Sequence, residues 1–160
     1  MKIRIGQGYD VHRLEEGAEF WLGGIRLEHH KGPVGHSDAD VLIHVICDAL
    51  LGAASLRDIG FHFPDTDPKY RGIDSKELLK EVVELLLVKG FSIGNIDATV
   101  VLQTPKIKSR IYEMQVCLAQ VMGIDQNDIS IKATTTEQLG FVGKEEGVSA
   151  YAVALIQTDD

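Results

Sequence analysis

The chain has 160 residues, 44% of them hydrophobic and 25% charged, which is one domain or a tight pair with enough apolar material for a core. Disorder and collagen-like fibre are excluded on the same numbers. Sixteen Lys and Arg against 24 Asp and Glu leave a net charge of −8, a surface that repels nucleic-acid phosphate and anionic lipid and argues against both as partners.

Residues 2–9 alternate Ile3 and Ile5 with Lys2 and Arg4, then meet Gly6-Gln7-Gly8; this predicts a strand that makes a tight approach only glycine permits. Phe20-Trp21-Leu22 and Ile25-Arg26-Leu27 flank Gly23-Gly24 and predict a hairpin with a two-glycine turn. Ser37-Asp38-Ala39-Asp40 reads as a helix start, with Ser37 as the cap and two carboxylates in the first turn. That helix continues through Val41, Val45, Leu50 and Leu51 to Gly52. Residues 56–73 carry Gly60, Pro64, Pro68 and Gly72 and read as one long loop, a length that usually serves function.

Asp74-Ser75 opens a second helix with Leu78, Leu79, Val82, Leu85 and Leu86 at helical spacing, stopped by Gly90. Residues 96–103 read as a strand, Pro105 as the start of a third helix reaching about Met122, and 129–133 as a strand. A glycine-bearing loop then leads to a last strand over 148–156. No repeat or linker divides the chain, so residues 1–160 form a single domain. The expected fold is α+β, a mixed sheet with helices on one face.

No apolar run reaches the ~18 residues a membrane span needs, and the first residues form neither a signal-peptide core nor a transit segment. Cys47 and Cys117, without Cys-x-x-Cys spacing, read as reduced, buried thiols of a cytoplasmic protein.

Four constellations carry possible chemistry. Asp10 and His12, two apart on an extended segment, point the same way, and His44 on the following helix can complete a three-ligand set suited to Zn²⁺ with one position open. Ordinary polar residues at a strand end account for the same pattern. His36-Ser37 before the helix suits an anion, or a plain cap with a solvent-facing His. Asp40, His44 and Asp48 recur every four residues and share a face, so either aspartate could orient His44, though such carboxylate–His pairs also occur on plain solvated faces. The segment from Asp58 to Asp67 offers acceptors for hydroxyls, with Phe61 and Phe63 to close over a ligand, or simply Asx turns. Lys132-Ala133-Thr134-Thr135-Thr136-Glu137 joins hydroxyls for phosphate to a hard oxygen for Mg²⁺, though threonine runs also suit plain strands. Lys106, Lys108, Lys132 and Lys144 each read as solvated cations.

Taken in order, Asp10-Val11-His12, His36-Ser37-Asp38-Ala39-Asp40-Val41 with His44, Asp48-Ala49-Leu50-Leu51-Gly52-Ala53-Ala54, Asp58-Ile59-Gly60, Phe63-Pro64-Asp65-Thr66-Asp67 and Lys132 to Glu137 closely resemble the 2-C-methyl-D-erythritol 2,4-cyclodiphosphate synthase family of non-mevalonate isoprenoid biosynthesis. The resemblance spans residues 3–156 without large insertions. It implies one zinc per subunit on Asp10, His12 and His44, and transition-state stabilisation by His36 and Thr135. It further implies methylerythritol-phosphate contacts from Ser37, from Asp58, Ile59 and Gly60, and from Phe63, Pro64, Asp65, Thr66 and Asp67. Leu102, Gln103, Thr104, Pro105, Lys106, Ile107 and Lys108 match the cytidine-binding stretch, with further substrate contacts from Ala133, Thr134, Thr136, Phe141 and Lys144. Glu137 resembles the ligand of a second ion, Mg²⁺ or Mn²⁺, bound with the substrate diphosphate.

The implied assembly is a homotrimer with active sites between subunits, acting on a small cytidine diphosphate substrate. The implied reaction is that of a phosphorus–oxygen lyase, in which the 2-phosphate of 4-diphosphocytidyl-2-C-methyl-D-erythritol 2-phosphate attacks the β-phosphorus, closes a cyclic diphosphate and releases CMP. Lys144 stands where the family often has Arg, keeping the charge without the bidentate fork, and Tyr151 stands where it often has Glu near the trimer axis. The alternatives are a zinc phosphohydrolase on the same ligands and a non-catalytic trimeric metal-binding module.

Overall fold

The computed structural model describes residues 1–158. Strand β1 (Lys2–Glu16) is longer than the apolar alternation suggests, because it continues through the polar stretch beyond Tyr9. Strands β2 (Phe20–Leu22) and β3 (Ile25–Leu27) form the expected hairpin, with Gly23 and Gly24 at φ 61° and 79°, the left-handed pair such a turn requires. A strand absent from the sequence reading, β4 (Lys31–Val34), contains Pro33 and pairs antiparallel with the end of β1. It lies at the sheet edge, where a residue without an N–H is tolerated.

Helix α1 (Val41–Ala53) is capped by Asp40, whose carboxylate accepts from Ile43 N at 3.0 Å; Ser37 is not the cap, and the first turn holds no carboxylate. Residues 56–73 are not one unstructured loop: α2 (Ile59–His62) and a 3₁₀ turn (Pro68–Tyr70) stand in it, capped by Asp58 and Asp67. Helix α3 (Ser75–Val88) begins and ends as its spacing predicts. Strand β5 (Ser92–Val101) starts earlier than expected and ends before Leu102. Pro105 does not begin a helix. The segment from Leu102 to Ile107 is irregular, with both of those side chains buried, and after a 3₁₀ turn (Lys108–Arg110) helix α4 (Ile111–Met122) follows. Strand β6 (Ile129–Thr134), the single turn α5 (Gly140–Gly143) and strand β7 (Gly147–Thr158) complete the chain.

Five strands form one sheet in the order β4-β1-β7-β5-β6, antiparallel except for β5 with β6. The α+β, mixed-sheet expectation holds. Helix α1 lies across β1 and β7 so closely that a Cβ on Gly6 would sit 1.9 Å from the Ala49 carbonyl oxygen, and one on Gly8 2.3 Å from that of Val45. This is the glycine-only approach read from Gly6-Gln7-Gly8. It sets His44, on the same helix, against Asp10 and His12 on the same strand. The opposite sheet face presents Ile3, Ile5, Tyr9, Val11, Tyr151 and Val153, all exposed.

The left-handed Ala39 (φ 58°) separates two carboxylates with different tasks. Asp40 is fully buried and also accepts from Gly23 N (2.9 Å) and Gly24 N (2.7 Å), fastening the hairpin to α1. Burial pushes its carboxyl pKa up, against the opposing pull of these N–H groups. Among the described residues, no helix is long and apolar enough to cross a membrane. Both cysteines are free thiols, Cys47 buried and Cys117 half-buried.

Candidate active site

Asp10 and His12 leave β1 on one side of the strand, and His44 leaves α1 one turn after its Asp40 cap. Asp10 Oδ2 lies 3.0 Å from His12 Nε2 and 3.2 Å from His44 Nδ1, and the two ring nitrogens are 3.1 Å apart. Three donor atoms thus form a nearly equilateral triangle. Around an ion with metal–ligand distances of about 2.0–2.1 Å, tetrahedral ligand atoms stand about 3.3–3.4 Å apart. Two neutral imidazoles and a carboxylate at this spacing fit one divalent ion of borderline softness. Among the described residues, this is the one cluster of His, Cys, Asp and Glu so placed.

The three groups are also coupled electrostatically. Burial works to raise the Asp10 pKa, but hydrogen bonds and charge from His12 and His44 win and hold its carboxyl far below the usual range. For His12, burial works to lower the pKa, and the hydrogen bond and charge of Asp10 outweigh it and raise it. The backbone of Val34 adds to that rise.

Neither Asp40 nor Asp48 orients His44. Asp40 is committed to the hairpin, and Asp48, its pKa raised by burial, accepts from Ile59 N at 2.8 Å and so anchors α2 to α1. His44 Nε2 instead meets Ser37 Oγ and Ser75 Oγ, both at 3.0 Å. Ser75 was not singled out from sequence, since a serine beginning a helix after a capping Asp reads as ordinary helix-start chemistry.

His12 and His44 open onto a cavity of about 550 Å³, shared with His36, Ser37, Ile59, Gly60, Phe63, Pro64, Asp65 and Thr66. Tyr70, Ile73 and Leu78, not singled out from sequence, complete its apolar wall. His36 Nε2 is 3.2 Å from the Asp67 carbonyl oxygen. Phe63 packs edge-on against Tyr70, whereas Phe61 is exposed with its ring beneath the Arg57 guanidinium, so the two phenylalanines do not close over one ligand together. Asp58 and Asp67 act as caps for the short helical turns of this segment.

A second, smaller cavity of about 150 Å³ is lined by Leu102, Pro105, Lys106, Ile107, Lys108, Ala133, Thr134 and Thr135. It shares no lining residue with the first. Beside it, Gln103 Oε1 accepts from Gln138 N at 3.3 Å, and Thr104 is half-buried. Thr135 Oγ1 accepts from Glu137 N at 3.2 Å, so its own O–H stays available to a ligand, whereas Thr136 donates to the Leu139 carbonyl. Glu137 and Gln138 are both left-handed (φ 53° and 65°). Glu137, Phe141 and Lys144 are exposed, and Lys132 is not a free cation, since it pairs with Asp97 across β5 and β6.

A family model described as the YgbB family matches residues 3–157. The chain belongs to the YgbB family. A curated relative of this YgbB chain, the 2-C-methyl-D-erythritol 2,4-cyclodiphosphate synthase of Bacteroides thetaiotaomicron, is 66% identical over 159 residues, which is 99% of this chain and 100% of the relative. The bifunctional IspDF of Campylobacter jejuni superposes with a TM-score of 0.95 at 41% identity, covering 99% of this chain and 43% of that longer one. A CDP complex of IspF from Plasmodium falciparum gives a TM-score of 0.86 at 34% identity, covering 99% and 97%. The family resemblance carried by the six motifs is therefore correct, and the YgbB chain's Asp10, His12 and His44 sit together as that resemblance implies.

Proposed function

We propose that the chain closes 4-diphosphocytidyl-2-C-methyl-D-erythritol 2-phosphate to 2-C-methyl-D-erythritol 2,4-cyclodiphosphate with release of CMP, as a phosphorus–oxygen lyase of non-mevalonate isoprenoid biosynthesis. The observation that carries this reading is the 3.0–3.2 Å triangle of Asp10, His12 and His44 at the mouth of a cavity large enough for a sugar phosphate.

Asp10 Oδ2, His12 Nε2 and His44 Nδ1 would hold a zinc ion, and Glu137 a Mg²⁺ or Mn²⁺ ion that reaches the protein through a single carboxylate. When bound, these ions supply Lewis-acid polarisation and charge neutralisation at the diphosphate. The residues do the positioning. His36, Ser37 and the turn from Ile59 to Thr66 receive the methylerythritol phosphate, while the segment from Leu102 to Lys108 receives the cytidine. Thr135 donates its O–H to a phosphoryl oxygen as charge builds, and His36 donates a ring N–H from the other cavity. A phosphate dianion is already a nucleophile, so no side chain has to remove a proton, and geometry and charge carry the catalysis.

The two cavities have no lining residue in common, while the substrate must touch both. We place each active site between two copies of the chain, in a homotrimer whose contact is the exposed apolar sheet face. The enzyme works in the cytoplasm. Thr135→Ala tests the assignment: kcat for CMP release should fall about a hundredfold or more with KM little changed, and an unchanged kcat would remove Thr135 from the chemistry.

A further inference from the structure

The metal triad uses its two histidines differently: His12 offers Nε2 and His44 offers Nδ1. An imidazole can direct Nδ1 to a metal only if its proton sits on Nε2, so something must set the tautomer of His44. The partners of Nε2 are two serine hydroxyls, each of which could donate or accept.

The bonds around Ser75 remove that freedom. Ser75 is fully buried at the first position of α3, and its Oγ–H donates to Asp38 Oδ1. Its backbone N–H donates to Asp38 Oδ2 at 3.0 Å, and Asp40 N donates to Asp38 Oδ1 at 3.1 Å. A carboxylate only accepts, so the single hydroxyl proton of Ser75 is committed to Asp38. Toward His44, Ser75 Oγ can then only accept, and Nε2 must carry the hydrogen. Ser37 Oγ has no such fixed partner: it accepts from Ala39 N at 3.2 Å and stands 3.5 Å from Ser75 Oγ.

We propose that Ser75, locked by Asp38, is the positioning residue that fixes His44 with its proton on Nε2 and its Nδ1 lone pair aimed at the metal. This deepens the metal-site reading and rests on it. The chain Asp38–Ser75–His44 joins the loop before α1, the start of α3 and the metal ligand, so the two helices orient the donor together.

The test compares the parent with Ser75→Ala, Ser75→Thr, Asp38→Asn and Asp10→Ala, each first checked for its fold by circular dichroism. Zinc affinity is read by competition with a chromophoric chelator, and the His44 tautomer of the chelated protein by long-range ¹⁵N NMR. The parent should carry the proton on Nε2. Ser75→Ala should lose about 10–100-fold in zinc affinity, Ser75→Thr should keep most of it, and Asp38→Asn should lose several-fold. If Ser75→Ala fails to fold, Asp38→Asn and the parent tautomer decide. Zinc held by the parent, lost with Asp10→Ala and unchanged in both Ser75→Ala and Asp38→Asn would overturn the positioning role alone. A parent with the proton on Nδ1 would do the same, and a parent that takes up no zinc would remove the metal reading together with this one.

Discussion

His12 Nε2 and His44 Nδ1 lie 3.1 Å apart although 32 residues separate them in the chain. Two imidazole lone pairs at that distance repel unless a proton or a cation sits between them, and Asp10 Oδ2 beside both favours a cation. Replacing either histidine with Ala should abolish tight zinc uptake while leaving the far-UV circular dichroism unchanged, because neither ring belongs to the apolar core. Full zinc occupancy by elemental analysis in both variants would contradict the assignment.

The same cluster sets a pH dependence for the metal-free protein. The His12 pKa is raised in the fold, so its ion pair with Asp10 stabilises fully below the ordinary His value of about 6.5 and is lost as pH rises through the raised one. The Asp10 pKa is lowered, so its share is present above the ordinary Asp value and fails only in strong acid. Urea unfolding of chelated protein should therefore find lower stability at about pH 8.5 than at about pH 5.5 from this pair, and His12→Gln should remove that difference. Saturating zinc should reverse the slope, since the metal needs a neutral imidazole.

Helix α1 reaches its position because Gly6 and Gly8 let backbone touch backbone. An alanine at Gly6 would put its Cβ 1.9 Å from the Ala49 carbonyl oxygen and 2.5 Å from Ala53 N, neither of which can rotate away. Gly6→Ala should cost about 3 kcal/mol in chemical denaturation, at the upper end of overpacking. Because the helix carries His44, zinc affinity should fall with it.

The exposed sheet face pairs Tyr9 with Tyr151 and Ile5 with Leu155 across β1 and β7, with the tyrosine rings 4.9 Å apart. An apolar surface of this kind on a chain of net charge −8 is what an assembly contact looks like. If this face is the contact of the proposed trimer, Ile5→Asp should give a monomer in sedimentation velocity and abolish turnover while sparing zinc uptake, since Asp10, His12 and His44 lie within one chain. A parent that sediments as a monomer at micromolar concentration would contradict the shared-site arrangement.

Much of this was legible in the residues, for reasons that differ from place to place. Gly6-Gln7-Gly8 and Gly23-Gly24 announce a close helix approach and a left-handed turn, and the structure has both. Asp10, His12 and His44 were legible because two residues apart on a strand means the same side. Sequence alone misplaces the cap of α1, because Ser37, Asp38 and Asp40 can all cap, and only the hairpin, distant in sequence, decides that Asp40 does. The extent of β1 and the existence of β4 were hidden because edge pairing tolerates Arg13, Glu15, Glu16 and Pro33, which break apolar alternation. Ser75 was invisible because its importance lies in a contact with Asp38, 37 residues away.

Ring closure can be followed by ³¹P NMR. Purified protein with the cytidine-diphosphate substrate, Zn²⁺ and Mg²⁺ should yield CMP and a cyclic diphosphate in equal amounts, with both lost in Asp10→Ala. CMP accompanied by a linear phosphate would instead make the chain a phosphohydrolase, and zinc uptake without CMP would leave a metal-binding module.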